Sequence, residues 1–253
     1  MKKRLDVLMV ERGLAESRAQ AQALILAGLV HGRSKAGEQL AEDAEITVER
    51  PPRFVSRGGD KLANALEAFG VDPGGRDCLD VGASTGGFSD CLLQGGAARI
   101  VAVDVGHGQL HPRVRNDPRV TVLERVNARA LTELPYAPSL IACDVSFISV
   151  TVALPPALRL AAPGWEAVVL VKPQFEAGRA DAPKGVVRDD EVRRRVVRAV
   201  AVAATGWDAA TIGAVDSGVP GPKGNRELFL HLRHQPGAAI PDELDRWIDD
   251  AVG

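Results

Sequence analysis

From residue 78 onward short apolar runs recur along the chain, and between most of them the apolar positions fall at helical spacing. Read by period, the pattern predicts strands at 78–82, 99–104, 119–123, 139–143, 167–171, 210–215 and 227–232. Helical spacing falls near 87–95, 150–161 and 189–204, and a final amphipathic helix from Pro241 to Val252 carries Leu244, Trp247, Ile248 and Val252. Such alternation is the signature of a doubly wound parallel sheet covered by helices. Upstream, Leu62, Leu66 and Phe69 share one side of another predicted helix.

Residues 4–30 show a different, shorter pattern. Leu5, Leu8 and Met9, then Ala19, Ala23, Leu24 and Leu26, predict two short helices punctuated by Gly13 and Gly28, with Ser17 as N-cap of the second. Strands are expected at 29–33 and 45–49. Pro51-Pro52 then interrupts both regular elements. The expected organisation is therefore a small module at 1–50, a linker at 51–60 and a large α/β domain at 61–253.

Between the first strand and helix of the large domain the chain reads Leu79-Asp80-Val81-Gly82-Ala83-Ser84-Thr85-Gly86-Gly87-Phe88. Glycines in a strand–loop–helix turn allow a tight bend and close approach of a ligand to the helix N-terminus. The spacing is neither the phosphate loop G-x-x-x-x-G-K-[ST] nor the dinucleotide fingerprint G-x-G-x-x-G. An Asp before the turn and no Lys for phosphates favour S-adenosylmethionine, which carries no pyrophosphate. The alternative is an ordinary glycine-rich turn. The cofactor-binding candidates here are Asp80, Gly82, Ala83, Ser84 and Gly86.

Composition narrows the class. The 253 residues are 45% hydrophobic and 25% charged, ordinary for a globular protein. The net charge of −2 excludes a uniformly basic nucleic-acid binder, so any RNA surface is a local patch. Residues 1–35 hold seven Lys or Arg against three Asp or Glu, whereas 36–49 hold five acids and no base. That is either a polarised binding module or a solvated face. Cys78, Cys91 and Cys143 lack CxxC or Cys/His spacing, which points to reduced thiols and no metal. No apolar run approaches the roughly 20 residues of a membrane span, so a cytoplasmic protein is expected.

Several residues stand at predicted strand ends, where doubly wound folds bind ligands. Asp104, 24 residues beyond Asp80, suits a ribose diol, or else caps its own loop. Asn127 offers an amide donor and acceptor to an adenine edge, or is a plain loop residue. Asp144 follows Leu140-Ile141-Ala142-Cys143, and its turn, Asp-Val-Ser-Phe, lacks the prolines of an Asp/Asn-Pro-Pro-aromatic motif for base amines. Lys172 closes the run Ala167–Val171, where a lysine needs a partner such as Asp144 unless it snorkels to the surface. Taken alone, Lys61 reads as a solvated helix lysine and Glu227 as an exposed strand residue.

Two resemblances extend this reading. Arg4-Leu5-Asp6-Val7-Leu8, Arg12-Gly13-Leu14, Ser17-Arg18-Ala19-Gln20-Ala21 and Ala27-Gly28-Leu29-Val30 resemble the S4 RNA-binding domain over residues 3–49, which implies RNA contacts from Arg4, Arg18, Gln20 and Lys35. Ser56-Arg57-Gly58-Gly59-Asp60-Lys61-Leu62, Asp80–Ser89, Cys143–Ser149, Val171-Lys172-Pro173-Gln174-Phe175-Glu176 and Gly224-Asn225-Arg226-Glu227 resemble the TlyA family, bacterial proteins once called haemolysins, over about residues 3–233. The resemblance implies an α/β, Rossmann-like class I methyltransferase fold, a doubly wound seven-stranded sheet of FtsJ-like type, behind a small α+β S4 domain. It implies a Lys-Asp-Lys-Glu tetrad at Lys61, Asp144, Lys172 and Glu227, S-adenosylmethionine as cofactor, with Asp144 also near it, and 2′-O-methylation of cytidine in 16S or 23S ribosomal RNA or both. Ribosomal RNA and ribosomal subunits are then the partners, with neither a membrane nor an obligate protein partner. Where described members carry an Arg-x-Trp-x linker, this chain reads Pro52-Arg53-Phe54-Val55. The rival readings are a base-directed RNA methyltransferase, a membrane-lytic haemolysin and an RNA-binding factor without catalysis.

Overall fold

A computed structural model describes residues 2–49, 52–221 and 223–253. Arg50 and Pro51, at the end of the expected module and in its linker, and Pro222, in the glycine- and proline-rich loop before Glu227, lie outside the described residues. The chain divides into two compact units, Met1–Pro52 and Arg53–Gly253.

In the first unit, helices α1 (Leu5–Glu11) and α2 (Arg18–Leu26) pack through Leu5, Leu8, Met9, Ala21 and Ile25 onto Val30 and Leu40. The apolar positions recur every three or four residues, so each helix presents one stripe inward. Ser17 caps α2, its side chain accepting from the Gln20 N–H at 3.2 Å. The two strands expected at 29–33 and 45–49 shrink to one bridge, Val30 with Val48. Gly32, at φ +64°, turns the chain before a ladder can extend. The sheet is instead β1 (Lys2–Arg4) against β2 (Gln39–Ala41), antiparallel, a pairing between two segments too short to show a period.

The second unit is a seven-stranded mixed sheet ordered β5-β4-β3-β6-β7-β9-β8. Its strands are β3 (Asp77–Val81), β4 (Arg99–Asp104), β5 (Val120–Glu124), β6 (Leu140–Cys143), β7 (Glu166–Val171), β8 (Ala209–Asp216) and β9 (Leu228–His234). All seven predicted strands are present. The last runs antiparallel between β7 and β8, unlike a purely parallel sheet. No helix separates β8 from β9, and a parallel return needs a long crossover, so the chain reverses as a hairpin.

Helices α3 (Arg57–Phe69), α4 (Gly87–Gln94), α5 (Pro112–Arg115), α6 (Val150–Leu158), α7 (Pro173–Glu176), α8 (Asp190–Ala204) and α9 (Leu244–Val252) flank the sheet. Strand residues alternate between two cores: Leu79, Val101 and Val169 face one, Cys78, Ile100 and Val168 the other. The three cysteines are free and buried. Helix α3 begins at Arg57, so residues 57–60, expected in the linker, are helical. Phe54, also in that segment, is buried against Gly59, where a Cβ would come 2.3 Å from it.

Strand order reverses between β3 and β6. At such a switch point the loops leaving adjacent strands diverge and open a crevice at the carboxyl edge.

Candidate active site

The crevice opens where Gly82 leaves β3 and Asp144 leaves β6. Gly82 has φ +88° and donates its N–H to the Val103 carbonyl at 2.9 Å, tying the loop to β4. Ser84 donates its N–H to Asp104 Oδ2 at 2.8 Å, and Gly106 donates to Asp104 Oδ1 at 2.6 Å. Asp104 thus holds two loops together, as its loop-capping reading expects, and it also lines the cleft. The Asn127 side chain accepts from the Arg129 N–H at 3.2 Å and lines the same cleft. That cleft measures about 550 Å³, with Phe147 and Asp144 on its far wall.

Two expected cofactor contacts fall elsewhere. Asp80 lines neither the cleft nor the cavity beside it. It is fully buried, its Oδ2 accepting from the Ser89 N–H at 2.9 Å and hydroxyl at 2.6 Å, so it anchors the first turn of α4. Burial pushes its carboxyl up to about 7, and its Oδ1 finds no partner among the described residues. Gly86, at φ +92°, packs against Leu110 and shapes the turn from behind. Ala83 borders the second cavity.

That second cavity, about 230 Å³, shares Gly82, Ser84 and Asp144 with the cleft. It gathers Lys61, Asp144, Lys172 and Glu227 from four separate segments. Lys61 lies on the inward face of α3, and its Nζ meets Glu227 Oε2 at 2.5 Å with both side chains almost wholly buried. Gln174, on α7, donates Nε2 to Glu227 Oε1 at 2.9 Å. Gly221 leaves room for that carboxylate, since a Cβ there would stand 2.5 Å from Oε1. Lys172, the first residue after β7, pairs with the Asp144 carboxylate and donates to Ser146 Oγ at 2.9 Å. Burial pushes the Asp144 carboxyl above its ordinary range, against the pull of Lys172. Two desolvated ion pairs facing one cavity can hold a polar hydroxyl and the charge that develops on it.

Sequence reasoning missed three neighbours. Gln174 and Ser146 stood inside quoted motifs but carried no role. Phe147 is 91% exposed with φ +65°, and its ring lies 5.1 Å from that of Phe175. An aromatic three residues after Asp144 was a signal; its exposure was not. In the first unit Arg4 and Arg18 sit together on Asp6, Lys35 is exposed, and Gln20 spends its amide oxygen on the Glu16 N–H at 2.6 Å. Gln20 thus caps its own turn.

Comparison with known proteins agrees with this geometry. A model of FtsJ-like methyltransferases matches residues 54–234, and one of the S4 domain matches residues 3–31. A Mycobacterium tuberculosis protein named 16S/23S rRNA (cytidine-2′-O)-methyltransferase TlyA is 46% identical over 260 residues, covering 98% of this chain and 95% of its own. The chain belongs to the TlyA family. Its Campylobacter jejuni relative, named a 23S rRNA (cytidine-2′-O)-methyltransferase, is 38% identical and covers 70% of each chain. A solved Streptococcus thermophilus structure carried under a hemolysin name is 37% identical, with TM-score 0.75, and covers 99% of this chain and 95% of its own. Among the described residues no helix is long and apolar enough to cross a membrane.

Proposed function

We propose that this protein methylates the ribose 2′-hydroxyl of a cytidine in ribosomal RNA, using S-adenosylmethionine bound in the 550 Å³ cleft. The observation that carries the reading is the sharing of Gly82, Ser84 and Asp144 by that cleft and the cavity holding the four tetrad residues. Gly82 lines both cavities, and a side chain there would collide with the Asp144 backbone and push the loop away from the cleft. Asp104 would accept the ribose hydroxyls and Asn127 the adenine edge. When bound, S-adenosylmethionine supplies an electrophilic methyl group.

A ribose hydroxyl is a weak nucleophile until its proton is drawn away. Lys172, held by Asp144 and Ser146, meets that hydroxyl: as a neutral amine it takes the proton, and as an ammonium it stabilises the developing oxyanion while the proton passes to water. Lys61 and Glu227, fixed by Gln174, orient the ribose across the cavity. Holding both reactants in register replaces several kcal/mol of entropic barrier. Phe147 offers an exposed ring on which an unstacked base can lie. The S4 unit would supply the grip on structured RNA, and an rRNA substrate places the protein in the cytoplasm.

The test is methyl transfer to purified 30S and 50S subunits, followed by mapping of 2′-O-methyl marks. A mark on a cytidine ribose is expected. A methyl group on a base atom, or none on either subunit, would overturn the assignment.

A further inference from the structure

We propose that Asp6 is a positioning residue for RNA: it holds the guanidiniums of Arg4 and Arg18 as a pair that grips the phosphate backbone. This rests on the reading of the first unit as an RNA-binding module. Asp6 is fully buried on α1. An unpaired carboxylate there would be strongly destabilising. Four donors converge on it instead. Arg4 gives Nε to Oδ1 at 3.0 Å and Nη2 to Oδ2 at 3.1 Å, a two-pronged fork. Arg18 gives Nη2 to Oδ2 at 3.0 Å, and Gln22 gives Nε2 to Oδ2 at 2.9 Å. The Arg4 bonds, more than any other partner, hold the Asp6 carboxyl far below the ordinary carboxylate range.

The chain is built for this convergence. Arg4 immediately precedes α1, so its side chain can fold back onto the first turn, where Asp6 lies. Arg18 and Gln22 are four apart on α2 and share a face. Gly37 flanks the Arg4 guanidinium, a Cβ there lying 3.6 Å from Nη1, and exposed Lys35 stands two residues before it.

The carboxylate is hidden, but its partners are not. The Arg4 and Arg18 side chains are 44% and 56% exposed. Two guanidiniums around one buried carboxylate leave one net positive charge at the surface. A guanidinium has five N–H donors, more than this cluster consumes. What Asp6 contributes is order, since a long side chain fixed before binding loses less entropy on contact.

Charge and positioning make opposite predictions for Asp6→Asn. Removing a negative charge beside an RNA site should tighten binding if charge alone matters. If Asp6 positions the pair, binding should weaken by roughly tenfold, the cost of re-ordering two long side chains. The measurement is filter binding of the full-length protein to deproteinised ribosomal RNA at low and moderate salt, with methyl-transfer kinetics and S-adenosylmethionine titration alongside. Asp6→Asn should raise KM for RNA while kcat and cofactor affinity hold, and should add nothing in an Arg4→Ala/Arg18→Ala background. Gln22→Ala, which leaves every charge in place, should weaken binding a few-fold, and it carries the test if Asp6→Asn fails to fold. Unchanged or tighter binding by a folded Asp6→Asn, or unchanged binding by Gln22→Ala where Asp6→Asn is unfolded, overturns the proposal. If Arg4→Ala and Arg18→Ala themselves leave RNA binding intact, the RNA-binding reading of this face fails and Asp6 falls with it.

Discussion

The carbonyl oxygen of Asp144 lies where a side chain on Gly82 would begin: a Cβ at Gly82 would stand 2.3 Å from that oxygen. The Asp144 N–H donates to the Val81 carbonyl at 2.9 Å, so the pairing of β3 with β6 continues to the strand ends. The loop that lines the cleft and the residue that joins the Lys172 ion pair are therefore one rigid piece.

Gly82→Ala should damage both at once. Left-handed backbone is disfavoured for alanine by about 1–2 kcal/mol, and the contact with backbone adds to that. We expect S-adenosylmethionine affinity to fall more than tenfold by calorimetric titration, as the loop shifts off Asp144. Unaltered affinity in a folded variant would remove Gly82 from the cradle.

Lys172→Ala should lower methyl transfer by about a hundredfold or more, the scale of removing one preorganised charge partner, and leave cofactor binding largely intact. Because burial raises the Asp144 carboxyl, acid breaks the pair early. Protonating Asp144 removes the partner that positions Lys172, so activity should decline on the acid side at a higher pH than an exposed carboxylate would set. Wild-type turnover by the variant would sink the assignment of Lys172.

Phe147→Ala should leave the fold alone, since the ring is exposed and buries little. If it stacks on the target base, its loss weakens RNA use by about 1–3 kcal/mol, roughly five- to 150-fold in kcat/KM. Phe147→Trp should retain most of the activity. Equal kcat/KM for the alanine and wild-type enzymes would make the ring a bystander.

Asp80 gives a pH-dependent stability. Its folded value, about 7, lies above the ordinary carboxylate value of about 3.9. The folded state therefore binds the proton more tightly, and this contribution is complete below about pH 4 and fades as pH rises through 7. The melting temperature of the free protein should drop by several degrees relative to Asp80→Asn between pH 5 and pH 8. Parallel profiles for the two proteins would contradict the buried, half-satisfied carboxylate.

Much of the architecture was readable because it is written in short periods. Alternating and helical apolar spacing marked all seven strands and the long helices within a few residues, and Ser17 announced its cap. Likewise the tetrad residues lay inside recognisable local motifs. Contacts between distant segments had no such mark. The β1–β2 pairing joins residues 2–4 to 39–41, and no three-residue strand shows a period. Asp80 reads in sequence like a ligand contact, yet the even-numbered side of β3 points into the α4 core, so it anchors Ser89 instead.

By itself, then, the sequence determined the seven strands and long helices of the larger unit, where glycine lets the chain turn sharply at 82, and which titratable residues stand at strand ends. It did so because backbone geometry and side-chain period act over a few residues. Only the tertiary structure decided that Lys61 meets Glu227 and Lys172 meets Asp144 across one cavity, that β9 runs backward beside β7, and that Asp6 disappears beneath Arg4 and Arg18. Those outcomes depend on desolvation: a charge leaves water only where a partner from another segment arrives with it.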